Sequence, residues 1–292
     1  MDEKKVGMHP GAAYDDLLAN QATVSDTAGW LGRLDLTFAL RGRRTAMVRC
    51  VHTGPFTVQR AFYPEEDHPH VYLLHPPGGV VGGDRLELSV RLESGSHALL
   101  TMPGATKFYR SAGAEARLTQ KFSLAEDSVL EWLPQGTIVF PAANVAMHSE
   151  FTLLPGARLL GFETFCLGRP VMGESFDQGR FQSVLRIHCP DSAGLHERLG
   201  VTGGRLEKLA GYPLMGAFFA APADGRMLEK VRGLLARADL PAAGATLVDQ
   251  LLLVRLLEHD NQRLQGILHN VWALLRPEIV GRQAVPPRIW ST

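Results

Sequence analysis

The sequence predicts a mainly β protein of stacked, helical-type layers, β-solenoid-like, with a C-terminal α-helical part. Three observations predict it. A loose repeat of polar turn and apolar strand starts at Leu92, Leu124 and Leu153, spaced 32 and 29 residues apart. A Gly-containing bend follows each unit, at Pro103-Gly104, Gln135-Gly136 and Gly168-Arg169. From Asp224 the apolar period lengthens to that of a helix, with Met227, Leu228, Val231, Leu234 and Leu235 on one face. Units of about thirty residues that bury a face only against a neighbour build a stack. Unconnected β-hairpins are the competing reading.

Taken in order, residues 1–21 lack the apolar core of a signal peptide and read as a flexible segment. A β-rich domain spans 22–222, and the α-helical part with a docking tail spans 223–292. Leu31 to Leu40 and Thr45 to Val51 read as strands around the turn Arg41-Gly42-Arg43-Arg44. Val71 to Leu74 leads into the loop His75-Pro-Pro-Gly-Gly-Val-Val-Gly-Gly-Asp84, whose four glycines permit positive φ. Arg85 to Leu92 then alternates polar and apolar, the period of a half-buried strand. The loop lacks Gly-Lys-Ser/Thr and Gly-x-Gly-x-x-Gly and feeds a strand, which excludes a phosphate cradle.

The stretch from Trp30 to Cys189 reads as all-β, and Tyr212 to Ala220 as a final strand. After a Pro241-to-Gly244 turn, a longer helix is expected from Thr246 to about Leu275, bent near Gly266 and stopped with the help of Pro277. Its face of Leu247, Leu251, Val254, Leu257 and Leu264 calls for packing on the sheet. The tail from Val285 to Thr292, carrying Arg288, Ile289 and Trp290, is stiff, ends in an aromatic and reads as built to dock.

Thirty basic residues balance thirty acidic ones, so no field draws the chain to nucleic acid or an anionic membrane. Cys50, Cys166 and Cys189 form no Cys-x-x-Cys, which fits a reducing, cytoplasmic setting. No run of eighteen apolar residues predicts a membrane span.

No hydrolase elbow or zinc-protease signature is present. His68, His70 and His75 cluster, but no Cys or second His group lies near them in sequence, so a permanent metal site is not expected. Glu131 and Glu163 stand in strands so apolar that burial without a partner would cost several kcal/mol or force protonation. One reading gives them an Arg partner in the core or exposure at a strand end. The other has them face a polar path for a divalent cation together with Asp84 and Glu174, with His75 and Cys166 as weaker candidates. Oxygen ligands hold such a cation loosely, as transit requires.

Five motifs in order carry a resemblance. They are the His75–Asp84 loop, Thr101-Met-Pro-Gly-Ala-Thr-Lys-Phe-Tyr-Arg110, Leu133-Pro-Gln-Gly-Thr-Ile-Val-Phe140, Phe165-Cys-Leu-Gly-Arg-Pro-Val-Met-Gly-Glu174 and Pro287-Arg-Ile-Trp290. Together they resemble the urease accessory protein UreD (UreH) family. The resemblance implies a non-enzymatic maturation factor that binds urease apoprotein and UreF directly and reaches the GTPase UreG through UreF. It implies nickel in transit, no permanently bound cofactor, and GTP held by UreG. The acid common after the Gln of the third motif is Gly136 here. A purely structural adaptor and a carboxylate-dependent β-fold hydrolase are the alternatives, the latter needing two acids roughly 5–9.5 Å apart in a cleft.

Overall fold

The computed structural model describes residues 29–190, 192–240 and 242–291. The predicted flexible segment 1–21 lies outside the described residues. An antiparallel hairpin, β1 (Leu31–Arg41) and β2 (Arg44–Thr53), opens the fold and is followed by β3 (Thr57–Phe62).

The chain then winds through four coils, each crossing once through two facing sheets. One sheet takes β4 (His70–Leu74), β6 (His97–Thr101), β9 (Val129–Leu133) and β12 (Arg158–Arg169), all parallel neighbours. The other takes β5 (Arg85–Leu92), β8 (Ala116–Leu124), β11 (Asn144–Leu153) and β14 (Arg180–His188), also parallel. Leu92 lies opposite Leu124, and Leu124 opposite Leu153, so the three repeat starts stack on one rung. Stacked β-layers are therefore the architecture.

At one corner of the coils a short third ladder forms, in which Val80, β7 (Thr106–Phe108), β10 (Thr137–Val139) and the end of β12 run side by side. All three predicted Gly bends fall at this corner. In the His75–Asp84 loop, Gly78 and Gly83 take positive φ. Gly79 serves a different need, because a Cβ there would stand 2.2 Å from the Tyr109 ring. Gly168, at φ +85° and with its Cβ position 2.5 Å from the Glu174 carbonyl oxygen, turns β12 into β13 (Glu174–Ser175). Gly168→Ala is expected to lower stability by about 1–3 kcal/mol in a urea melt.

Beyond β14, β15 (Leu195–Thr202) closes the second sheet, and β16 (Leu214–Ala221) continues the first beside β12. Helix α1 (Gly225–Arg237) starts where predicted, with the Asp224 carboxylate accepting from Met227 N at 2.8 Å.

The predicted long helix from Thr246 is corrected by the structure. Residues Ala243–Val248 form β17 and Leu251–Glu258 form β18, which pairs with β16. Leu251 and Leu253 enter the core between the sheets, while Leu252, Val254 and Leu256 face the helices. The apolar run Leu251–Val254, buried on both faces, suits an inner strand. It follows that β16 is not the last strand.

Helix α2 occupies only Asn261–Ile279, capped by Asp260, and it carries through Pro277 instead of stopping there. Its Leu264, Leu268, Val271, Trp272 and Leu275 pack with Val231 of α1 on Leu160, Phe162 and Phe218 of the sheet. No helix among the described residues is long and apolar enough to cross a membrane.

Candidate functional site

The larger sheet separates two buried polar centres. Residues alternate in β9, so Leu130 and Trp132 face the space between the sheets while Glu131 faces α2. There Glu131 and Arg276 are both fully buried. Arg276 Nε donates to Glu131 Oε2 at 2.9 Å, and Trp272 Nε1 donates to the same oxygen at 2.7 Å. The guanidinium also reaches Glu65, at 2.6 and 3.0 Å, and the Gln283 carbonyl. An arginine partner in the core is thus the outcome for Glu131.

Three histidines complete this centre. His97 Nε2 lies 3.0 Å from Glu131, and His70 Nε2 lies 3.1 Å from Glu65. His68 lies flat against His97 at 3.8 Å and sets Nδ1 3.0 Å from Asp67 and Nε2 3.2 Å from Glu65. Burial pushes His97 down to about 4 against the pull of Glu131. Burial alone would raise Glu131, but the His97 and Arg276 contacts bring it to about 2. In Glu65 the bonds from His68, His70 and Arg276 likewise outweigh burial and hold the carboxyl well below its usual range. Glu65, His68 and His70, and again His68, His97 and Glu131, offer ligand atoms close enough to share a metal ion. The guanidinium already bonds both carboxylates, so the arrangement serves better as an ionic lock than as a cation site.

Glu163 stands on the opposite face, between the sheets. Ser149 Oγ donates to its Oε1 at 2.5 Å, and Gln120 Nε2 donates to Ser149 at 2.9 Å. No Lys or Arg pairs with it among the described residues. Burial pushes its carboxyl up to about 7, the Glu197 charge adding to the effect and the Ser149 bond opposing it. Glu163 lines two small cavities. One, of about 20 Å³, runs past Gln120, Trp132, Gly136 and Thr164. The other, of about 10 Å³, runs past Ser183 and Met215 to Glu197. Such volumes hold a water or so each. At the far end Glu197 is clasped by Arg255 of β18, whose Nε lies 3.0 Å away.

The remaining predicted residues lie elsewhere. Asp84 is half-buried and shapes its own loop, accepting from Trp30 N at 2.8 Å and Val81 N at 3.0 Å. Glu174 pairs with Arg169, whose Nε donates at 2.6 Å. His75 is half-buried, and burial lowers its pKa. Burial pushes the Cys166 thiol up to about 11, which disfavours the thiolate a metal needs. The structure therefore gathers none of Asp84, Glu131, Glu163 and Glu174 into one cluster, and neither cavity along Glu163 reaches another of them. In the tail, Trp290 lies flat on His269 at 3.7 Å and edge-on to Trp272 at 5.3 Å. Arg288 is exposed and Ile289 half-buried.

A family model described as UreD urease accessory protein matches residues 31–291. The chain belongs to this family. A urease accessory protein UreD of Pseudomonas putida (strain W619) is 58% identical over 277 residues, covering 94% of this chain and 100% of the relative. That of Enterobacter sp. (strain 638) is 49% identical over 266 residues, 91% of this chain and 97% of the relative. One from Klebsiella pneumoniae is 47% identical over 264 residues, 90% and 97% of the two chains.

For a UreD-family chain, the residues that the sequence did not single out are Gln120, Ser149 and Glu197 around Glu163, and Glu65, His97 and Arg276 around Glu131. The inward alternation of β8 and β11 places Gln120 and Ser149 on core rungs, which was a usable signal. Nothing local marked Arg276, since its carboxylates lie 145 and 211 residues away in sequence.

Proposed function

We propose that this chain is a non-enzymatic maturation factor of nickel urease, acting in the cytoplasm. It holds urease apoprotein and UreF, reaches the GTPase UreG through UreF, and passes nickel between the sheets past Glu163. Nickel is cargo here, and GTP belongs to UreG.

The supporting observation is Glu163 itself, a buried carboxyl with only neutral hydrogen-bonding neighbours, between two small cavities of which one reaches Glu197. Oxygen ligands of this kind bind a divalent cation weakly enough to release it. Asp84, Glu131 and Glu174 have their oxygens occupied by backbone amides, Arg276 and Arg169, which favours Glu163 as the path carboxylate. The tail contributes by bracing α2 through Trp290, with Arg288 left outward for UreF.

The test is urea hydrolysis, with nickel content of the purified urease, in cells expressing urease and the other accessory proteins. Omitting the chain is expected to abolish both readings. Glu163→Ala is expected to keep UreF and urease binding while losing most activation. Retained activation in that variant would favour a purely structural adaptor.

A further inference from the structure

We infer that the Glu197–Arg255 ion pair is the gate through which a divalent cation reaches or leaves Glu163. This rests on the reading that nickel passes Glu163 between the sheets. The space between the sheets holds two apolar clusters, one around Phe151, Phe219 and Leu253 and the other around Phe165, Phe181 and Met215. Where six of the strands cross from one cluster to the other, the inward residue at the boundary is polar. It is Gln120 in β8, Ser149 in β11, Glu163 in β12, Ser183 in β14, Glu197 in β15 and Arg255 in β18. On β5, Leu86 and Leu88 make the same crossing directly, so this polar seam begins at β8 and runs toward the last strands.

Strand register carries the seam to the edge of the stack. Glu163, Ala217 and Arg255 share one rung of the first sheet, and the small Ala217 lines the cavity between the two charged residues. On the second sheet, Leu185 and Glu197 continue the rung of Gln120 and Ser149. The cavity of about 10 Å³ joins Glu163 to Glu197 past Ser183. Glu163 Oε2 accepts no hydrogen bond among the described residues, which leaves this buried oxygen for an ion.

The outer end of this cavity is held shut by charge. Arg255 Nε donates to both Glu197 oxygens, at 3.0 and 3.2 Å. The Arg255 side chain is 45% exposed against 24% for Glu197, so the pair stands on the solvent side of the cavity. A space this small admits a cation only after most of its water has been exchanged for protein oxygens. Glu197 offers the first of these once Arg255 lets go. A half-exposed pair separates at little cost, because water replaces each partner.

The experiment follows entry of Ni²⁺ into the full chain by stopped-flow tryptophan quenching. The signal taken is the part lost in Trp132→Phe, since Trp132 lines the other cavity at Glu163. Arg255→Gln leaves Glu197 as an unpaired anion at the mouth and should speed entry about tenfold. Glu197→Gln leaves Arg255 as an unpaired cation there and should slow entry about tenfold. Both substitutions break the same ion pair, so a merely structural pair would move the two rates in the same direction. Rates that are unchanged, or that shift the same way in both variants, overturn the gate alone, provided that Glu163→Gln still abolishes the Trp132 signal. A wild-type chain with no such signal, or one whose signal survives Glu163→Gln unchanged, overturns the gate and the underlying reading together.

Discussion

Arg276→Ala is expected to cost about 3–5 kcal/mol of folding stability, the largest loss from any single polar substitution in this chain. The guanidinium is fully buried and joins three parts of the fold: Glu65 after β3, Glu131 in β9 and the Gln283 carbonyl beyond α2. Removing it leaves the buried Glu131 and the largely buried Glu65 carboxylates without a cation, held only by the histidines and the Trp272 N–H. Both carboxyls sit below their ordinary range in the folded protein, so their ionised forms depend on this cation and on the histidines. The check is a urea midpoint with its slope. A loss below about 1 kcal/mol would remove the lock from the account. Glu131→Gln combined with Arg276→Met should recover part of the loss, because it takes away one of the stranded charges as well.

Glu163→Gln is expected to stabilise the protein at alkaline pH. The folded carboxyl is raised from 4.5 to about 7, so the unfolded chain gives up its proton first. The contribution of this group is fully present below 4.5 and is lost as pH rises through about 7. The displacement corresponds to roughly 3 kcal/mol at the alkaline end. A Gln has nothing to ionise, and its melting temperature should exceed that of wild type at pH 8 and match it near pH 4.5. His97 and His269, both pushed down by burial to about 4 from 6.5, act on the other limb. Their contribution is complete above 6.5 and is lost as pH falls toward 4, and this acid limb should be the same in both proteins. Identical curves at pH 8 would mean that Glu163 is solvated. The same substitution should lower urease activation, which separates a role in function from a role in stability.

The stack was legible because it repeats. Leu92, Leu124 and Leu153 recur at the period of one coil, and each coil announces its corner with a glycine. The segment after α1 was not legible, since Leu247, Leu251 and Val254 fit a helical face as well as a strand. Only pairing with β16 decides between them, and that lies in the tertiary fold. Glu131 and Glu163 stood out for the same local apolarity yet have opposite fates. Alternation sends one toward Arg276 and the other toward Ser149, and which sheet face meets which layer is not written locally. Glu197 lies on a half-exposed edge strand and looked like any surface acid.

The middle of each sheet is parallel, whereas the ends are not. At one end β2 and β3 turn antiparallel, and at the other β15, β16, β18 and β17 do. A parallel stack with bare ends would offer each new copy the same template and could polymerise. The reversed strands break the parallel repeat at both ends, so the stack of coils has a height set by their number. Strands lie about 4.8 Å apart, so gaining or losing one coil would change that height by one such step. The fold thus works as a length standard. Whatever is held at its two ends is kept at a separation that can change only in whole coils.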